Sequence, residues 1–334
     1  MNRNFVHGRR NFLGQAAGLV LVSLSVLPIR AQAQGAYPTR PIRLIVPFAP
    51  GGVTDTGGRI IAEYMSKRLG QQVVLDNRPG ASGNIGSQIA VGAEPDGYTL
   101  LLVLDGTFVI NPHVYDKIPF DPIKDFTPIG KIGDSTTILV AHPGFKANTL
   151  REVIELSKTQ EGGLFYGTSG TGSIVHLAGE LLKQRTGANL VHVPYKGGAP
   201  AISDTMAGHI PLAFASAASV QQYLKSGKLK AIGVPSGKRS REFPDIPTFS
   251  ESGVPNFDIN SWLGLVAPAR TPKPIVERLN AELNAALNDA GVRDRLAASG
   301  IAATPGTAEA FADIIRNDLA LYGTIVKTAG IKVT

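Results

Sequence analysis

The chain reads as an α/β protein in two lobes, each a mostly parallel sheet flanked by helices. Three observations predict this. Short β-branched runs alternate with amphipathic helix-like runs along most of the sequence, the pattern of βαβ units. At 334 residues the chain is long for one core and comfortable for two. Two glycine-rich turns, far apart in sequence, each sit between a strand-like and a helix-like run.

Strands are expected at 42–47, 72–76, 98–104, 137–141, 164–167, 190–194, 211–215, 229–234 and 259–266. Helices are expected between them at 55–69, 84–93, 149–159, 173–186, 197–207 and 217–226, and near the C-terminus at 273–289, 291–298 and 307–327. Asp55 is placed to N-cap the first helix and Gly70 to end it. Thr149 with Glu152 forms a capping box, and Thr307 caps the last helix after the Pro305-Gly306 break. Pro244-Asp245-Ile246-Pro247-Thr248 reads as an extended connection. The chain is expected to leave the first lobe near 140 and return near 247. Residues 37–140 and 247–334 then form one lobe and 141–246 the other, with the two crossings as a hinge.

Residues 1–33 read as an export signal. Arg3, Arg9 and Arg10 precede an apolar stretch from Ala16 to Leu27, and Ala31-Gln32-Ala33 is a small-x-small cleavage site. The apolar stretch is shorter than the ~20 residues a spanning helix needs. Arg9-Arg10-Asn11-Phe12-Leu13 matches the core of a twin-arginine signal; an ordinary secretory signal is the alternative. Of the 33 basic residues four lie in this segment, leaving 29 against 26 acidic ones, a net of +3. No block of like charge remains, which argues against nucleic-acid binding. The chain has no cysteine, so disulfides, thiol catalysis and thiolate metal sites are excluded.

The first glycine turn, Phe48-Ala49-Pro50-Gly51-Gly52-Val53-Thr54-Asp55, follows Ile42–Val46. The second, Tyr166-Gly167-Thr168-Ser169-Gly170-Thr171-Gly172-Ser173, precedes Ile174-Val175-His176-Leu177. Each presents backbone N–H groups and small hydroxyls at a helix N-terminus, where orphan amides and the helix dipole both favour an anion. The pair suggests two lobes closing on one small carboxylate. Catalytic readings fit poorly. Gly167-Thr168-Ser169-Gly170-Thr171 lacks the last glycine of a nucleophile elbow, so a serine hydrolase is a weak alternative. Neither turn carries the lysine of a P-loop or a complete dinucleotide fingerprint, and the histidines lack zinc-site spacing.

Taken in order, these pieces resemble a known family. The series is Val46-Pro47-Phe48-Ala49-Pro50-Gly51-Gly52 with Asp55; Asn77-Arg78-Pro79-Gly80-Ala81-Ser82-Gly83-Asn84-Ile85-Gly86; Glu94-Pro95-Asp96-Gly97-Tyr98; and Asn111-Pro112. The second turn with His176-Leu177, then Val193-Pro194-Tyr195-Lys196-Gly197, Leu229-Lys230-Ala231-Ile232, Pro244–Thr248 and Trp262-Leu263-Gly264 complete it. The chain resembles the Bug (TctC) family of periplasmic solute-binding receptors of tripartite tricarboxylate transporters. The resemblance implies a Venus-flytrap fold that closes on a small organic acid and presents it to membrane permease subunits. It implies a periplasmic, non-enzymatic, monomeric protein without cofactor or metal. A receptor that signals to a membrane sensor is the functional alternative.

Carried onto this sequence, the resemblance puts ligand contacts at Ala49, Pro50, Gly51, Gly52, Thr54 and Asp55, with Ser82 and Asn84 nearby. Ser169, Gly170, Thr171, Gly172 and Ser173 supply the opposing side, with Tyr195 and Ser216 along the wall. Backbone N–H groups and ordered waters, rather than an arginine clamp, are expected to hold the carboxylate. Asp55 is equally a helix cap or an organiser of amides and water, Gly51 and Gly80 can serve turn geometry alone, and Tyr195 can be packing. Two features depart from the family pattern. Gly57-Gly58 stand in the first helix, at a cost of about 1 kcal/mol each relative to Ala. Asp105 ends a strand expected to face the cleft, as a partner for a ligand amino group or hydroxyl, or as a plain surface acid.

Overall fold

Two mixed sheets, connected by two crossings of the chain, organise the structure. The computed structural model describes residues 37–195, 197–240 and 243–332. The expected export signal at 1–33, with its cleavage site at Ala33, and Lys196 lie outside the described residues.

In chain order the first part runs β1 (Ile42–Val46), α1 (Val53–Leu69), β2 (Val73–Asn77), a 3₁₀ turn (Ala81–Gly83), α2 (Asn84–Val91), β3 (Thr99–Leu104), a π-helical turn (Gly106–Ile110), α3 (Asn111–Val114) and β4 (Phe126–Ser135). Next come β5 (Thr137–Ala141), α4 (Leu150–Thr159), β6 (Leu164–Thr168), α5 (Ile174–Thr186), β7 (Leu190–Pro194), α6 (Gly198–Ala207), β8 (Leu212–Ser216), α7 (Ala217–Lys225) and β9 (Lys230–Gly233). The chain ends with β10 (Ser261–Pro268), α8 (Lys273–Asn288), α9 (Ala290–Ala298), β11 (Ala302–Ala303) and α10 (Ala308–Ala329).

The first sheet has the order β11-β4-β10-β3-β1-β2 and the second β7-β6-β8-β5-β9. β1 runs parallel to β2 and β3, and β6 to β7 and β8. β10 is antiparallel to β3 and β4, β11 to β4, and β5 to β8 and β9. The sheets are therefore mixed rather than mostly parallel. Of the antiparallel strands, β4, β5 and β10 flank the crossings, which are not built as βαβ units and so escape the parallel rule.

The crossings also fall elsewhere than at 140 and 247. β5 pairs wholly within the second sheet, so the first crossing is Thr136. Val234 bridges Thr248, and Phe249 packs edge-on to Phe214 of β8 and to Phe257, so the return segment stays on the second sheet past 247. β4 was not expected from the sequence. Its Pro128, Gly130 and Gly133 read as breakers. In the fold Gly133 lets β11 approach closely, because a Cβ there would overlap the Ala302 carbonyl oxygen. β4 also pairs with β10 through two register shifts, the bulged geometry that tolerates such residues.

Local stops and starts follow the chemistry read from the sequence. Gly70 takes a left-handed φ of 67° after α1. The Thr149 Oγ1 accepts the Glu152 amide at 3.2 Å, and Thr307 accepts that of Ala310 at 3.1 Å. Asp55, however, is not the cap of α1: Gly52 holds that position without a side-chain cap, and Asp55 sits inside the first turn. The Gly57-Gly58 pair has a packing cause. A Cβ on Gly57 would come within 2.7 Å of Ile301, and one on Gly58 within 3.0 Å of Leu102 of β3.

The apolar core is shared. One cluster of buried side chains includes Leu101 and Val103 of β3, Trp262 of β10, Tyr166 of β6 and Phe214 of β8. It extends through Leu177 and Leu181 of α5 and Phe311, Ile315 and Tyr322 of α10. The α10 helix thus packs against both sheets' elements, and Gln184 of α5 donates to its Ile325 carbonyl at 3.2 Å. Gly264 of β10 lies under the Phe311 ring, which meets Trp262 edge-on at 5.2 Å, leaving no room for a Cβ. Gly264→Ala is expected to destabilise the protein by about 1–3 kcal/mol through overpacking, measured as a lower urea midpoint at unchanged m-value.

Candidate functional site

A cavity of about 370 Å³ opens between the two sheets. From the first sheet's side it is lined by Phe48, Ser82, Leu104–Thr107, Asn111, Val114, Tyr115 and Ser261. From the second it is lined by Ser169, Gly170, Thr171, Gly172, Ser173 and Ile174. Among its described lining residues none carries a positive charge, and the one acid is Asp105.

The second glycine turn links β6 to the N-terminus of α5. Gly170 and Gly172 take φ values of 133° and 75°, which a side chain would resist. Ser173 N-caps α5 and donates to the Gly170 carbonyl at 2.6 Å. The Gly172 amide donates to His176 Nδ1 at 3.1 Å. His176 stacks on His192 with ring centroids 3.7 Å apart, and His192 Nε2 shares a 2.6 Å hydrogen bond with Thr168 Oγ1, at the start of the turn. Below them Glu180 accepts from the Tyr166 hydroxyl and from Lys183, both at 2.9 Å. Burial pushes both imidazoles down to about 4; the Lys183 charge adds to this for His176, and His176 itself for His192. The pair therefore stays neutral at ordinary pH and braces the turn. His176 is engaged by the Gly172 amide on one side and lies beside Glu180 on the other. The Ser173 hydroxyl and the amides of Gly170, Gly172, Ser173 and His176 are engaged within the turn, which leaves the Ser169 and Thr171 hydroxyls as its side-chain donors on the cavity.

The opposing wall is built around the Ser82 carbonyl. Ala81 and Ser82 adopt left-handed φ values of 47° and 53° between Gly80 and Gly83. Such strain persists only where neighbours over-determine it. Here Thr107 Oγ1 and Asn111 Nδ2 donate to the Ser82 carbonyl at 2.8 and 3.1 Å. Asn111 also donates to buried Asn84 at 2.8 Å, and Ser82 Oγ pairs with the Tyr115 hydroxyl at 3.0 Å. The π-helical turn and α3 therefore hold the 3₁₀ turn. Beside them, Ser261 Oγ donates to Asp105 Oδ1 at 2.8 Å, while Asp105 Oδ2 is buried with no hydrogen-bond partner among the described residues. Burial pushes the Asp105 carboxyl up to about 7; Asp318 adds to this, and the Ser261 hydrogen bond and the nearby backbone amides of Gly106 and Trp262 oppose it.

The first glycine turn stands apart. Ala49, Pro50, Gly51 and Gly52 are exposed and, like Thr54 and Asp55, do not line the cavity; Phe48 alone of the turn does. Asp55 is buried and fully engaged. Its carboxylate accepts from the Gly51 amide, from Asn77 and from Arg59 Nε, each at 2.9 Å. Burial raises its pKa, but these hydrogen bonds and the Arg59 charge outweigh that and hold it below the usual carboxylate range. Asp55 shapes the turn through these contacts. Asn77 also donates to the Phe48 carbonyl at 3.0 Å, so one cluster ties β1, α1 and β2 together. Tyr195 backs the second turn: its hydroxyl donates to Asp204 at 2.7 Å and its amide to the Thr168 carbonyl. Ser216 pairs with Ser219 at 2.8 Å, away from the cavity.

Of the residues expected from the sequence, Ser82 and Ser169–Ser173 thus line the cavity. Asn111, Thr107, Tyr115 and Ser261 were not expected there. The available signal was topological: ligands of open α/β sheets gather outside the carboxyl ends of strands. Asp105 and Thr107 follow the end of β3, and Ser261 begins the strand paired beside it.

Two sheets, a cavity between them and a wall of amides and hydroxyls define a two-lobed periplasmic-type solute receptor. The profile of the tripartite tricarboxylate transporter family receptors matches residues 58–331. The chain belongs to this family, which includes the Bug proteins. It is 34% identical to BugT of Bordetella pertussis over 297 residues, 89% of this chain and 91% of BugT. The solved structure of R. palustris Rpa4515 with adipate is 33% identical with a TM-score of 0.76, covering 89% of this chain and 99% of that one. MatC from Rhodopseudomonas palustris with bound malate is 31% identical with a TM-score of 0.72, covering 87% and 100%.

Two outcomes are expected. Gly83→Ala is strained at φ 93° and drives its Cβ into Thr107, so it is expected to cost ~1–3 kcal/mol in chemical denaturation. The neutral histidine pair makes stability fall as pH drops from about 6.5 toward about 4, because the unfolded chain takes up protons there that the folded chain refuses. Melting temperatures measured across this range should decline, and His192→Gln should flatten the decline.

Proposed function

We propose that this protein is a periplasmic receptor that captures a small organic acid in the cavity and delivers it to the membrane subunits of a tripartite transporter. The observation that carries the reading is the wall itself. The Ser169–Ser173 turn brings the hydroxyls of Ser169 and Thr171 and the N-terminal end of α5 to the cavity, opposite the wall built on Ser82. Charge-assisted hydrogen bonds from such groups suit a carboxylate. The acid ligands of Rpa4515 and MatC support the same class of ligand. The exposed Ala49–Val53 turn has its place in this reading as the edge that moves onto the ligand when the lobes close about Thr136 and the return segment. Residues 1–33 direct export and are removed after Ala33. The mature protein acts as a monomer, holds its ligand without a cofactor and performs no chemistry on it.

A thermal-shift screen of the mature protein against organic acids tests this. A true ligand at 100 times its Kd should add about 2.7 kcal/mol of stability. Stabilisation by a neutral sugar and by no acid would overturn the reading. Ser169→Ala should weaken the best acid several-fold. Gly170→Val should abolish its binding, since a branched side chain at φ 133° distorts the turn.

A further inference from the structure

The cavity has two chemically different ends. One is the amide- and hydroxyl-rich turn at the N-terminus of α5, suited to a negative group. The other is Asp105, whose residue is 1% exposed, whose Oδ1 is occupied by Ser261 and whose Oδ2 has no partner among the described residues. Burying a carboxyl oxygen without a partner is costly, and such a group calls for a donor. The surroundings of Asp105 sharpen what kind of donor. Asp318 and buried Tyr322 of α10 face it, and Asp318 in turn faces Asp258, Asp134 and Lys131. Asp318 is itself engaged, accepting from Trp262 Nε1 at 2.7 Å. Three further acids against one lysine make the floor electronegative. A second ligand carboxylate would be repelled there, whereas a cation would be attracted.

We propose that Asp105 is a specificity-determining residue that receives the ammonium group of the ligand, so that the receptor selects amino-substituted organic acids over unsubstituted ones of the same carbon skeleton. The inference rests on the carboxylate reading above and adds the second pole. The ligand lies with its carboxylate on the Ser169–Ser173 turn and its ammonium on Asp105 Oδ2, with Ser261 orienting the carboxylate from the other oxygen. The ammonium brings three donors and a charge that offsets the local excess of acids. It binds the ionised form of Asp105, so it must displace the proton that burial favours. With the carboxyl titrating at about 7, affinity should rise about tenfold from pH 6 to pH 8. Asp318, pushed up to about 6 by burial and by Asp258 and Asp134, broadens the rise at its acid end.

The test uses matched probes differing at one carbon: succinate, malate and aspartate; glutarate, 2-hydroxyglutarate and glutamate; propionate, lactate and alanine. Each is titrated calorimetrically into the mature protein at pH 6 and pH 8. The expected result is that, in the series that binds, the amino member binds at least tenfold more tightly than the unsubstituted one and gains affinity at pH 8. In Asp105→Asn, which keeps an acceptor for Ser261, that preference and the pH dependence should both vanish. Asp105→Ser is the second variant and should lose them equally. Equal or tighter binding of the unsubstituted acids overturns the inference while leaving the carboxylate reading intact. So does affinity that falls as pH rises, which would mean that Asp105 binds a second carboxyl as a neutral acid. If no acid binds at any pH, both fall.

Discussion

Thr136 alone separates the strand that ends the first sheet from the strand that begins the second. That covalent constraint sets the position of everything around the cavity. Ser135, just before it, pairs with Ser261, and Thr137, just after it, pairs with Ser216. The Ala217 amide closes onto the Thr136 carbonyl at 2.8 Å, so the junction is bonded rather than loose. Ser261 in turn holds Asp105 at the end of β3. The two sheets also share one apolar cluster through α5 and α10, which leaves few places where one sheet can turn against the other.

The loops around the cavity have little apolar surface of their own. Each is held by one polar hub. The Asp55 carboxylate ties the β1–α1 turn to β2, the Ser82 carbonyl ties the 3₁₀ turn to the π-helical turn, and the stacked histidines tie the β6–α5 turn to β7. Buried polar groups are costly unless fully paired, and full pairing fixes geometry more tightly than packing does. Asp105 is the exception among these hubs, because half of its carboxylate is left without a partner among the described residues.

Much of the fold was legible in the sequence because its cues are local. The strand Leu190–Pro194 carries its own β-branched signal, and Thr149, Thr307 and Gly70 carry their own capping chemistry. What was not legible depends on partners distant in the chain. β4 is a strand despite Pro128, Gly130 and Gly133 because β10 and β11 accept its bulges and close approach. Asp55 looks like a cap until Asn77 and Arg59 are seen to claim it. The second glycine turn was readable as a cavity wall since its glycines and hydroxyls are contiguous. The facing wall was read only at Ser82, because Thr107, Asn111, Tyr115 and Ser261 come from three separate elements and meet only after the sheet is assembled.

The composition of the cavity wall has an evolutionary consequence. Where a receptor holds its ligand's shared acidic group with an arginine, one substitution can remove the anchor. In the proposed reading the N-terminus of α5 supplies much of that anchor from the main chain, which most substitutions leave in place. On that reading the residues left to distinguish one acid from another, such as Phe48, Asp105 and Tyr115, belong to other elements of the wall. Anchor and selector can therefore drift separately. A gene copy of such a receptor starts with its grip intact and is free to explore new ligands one wall residue at a time.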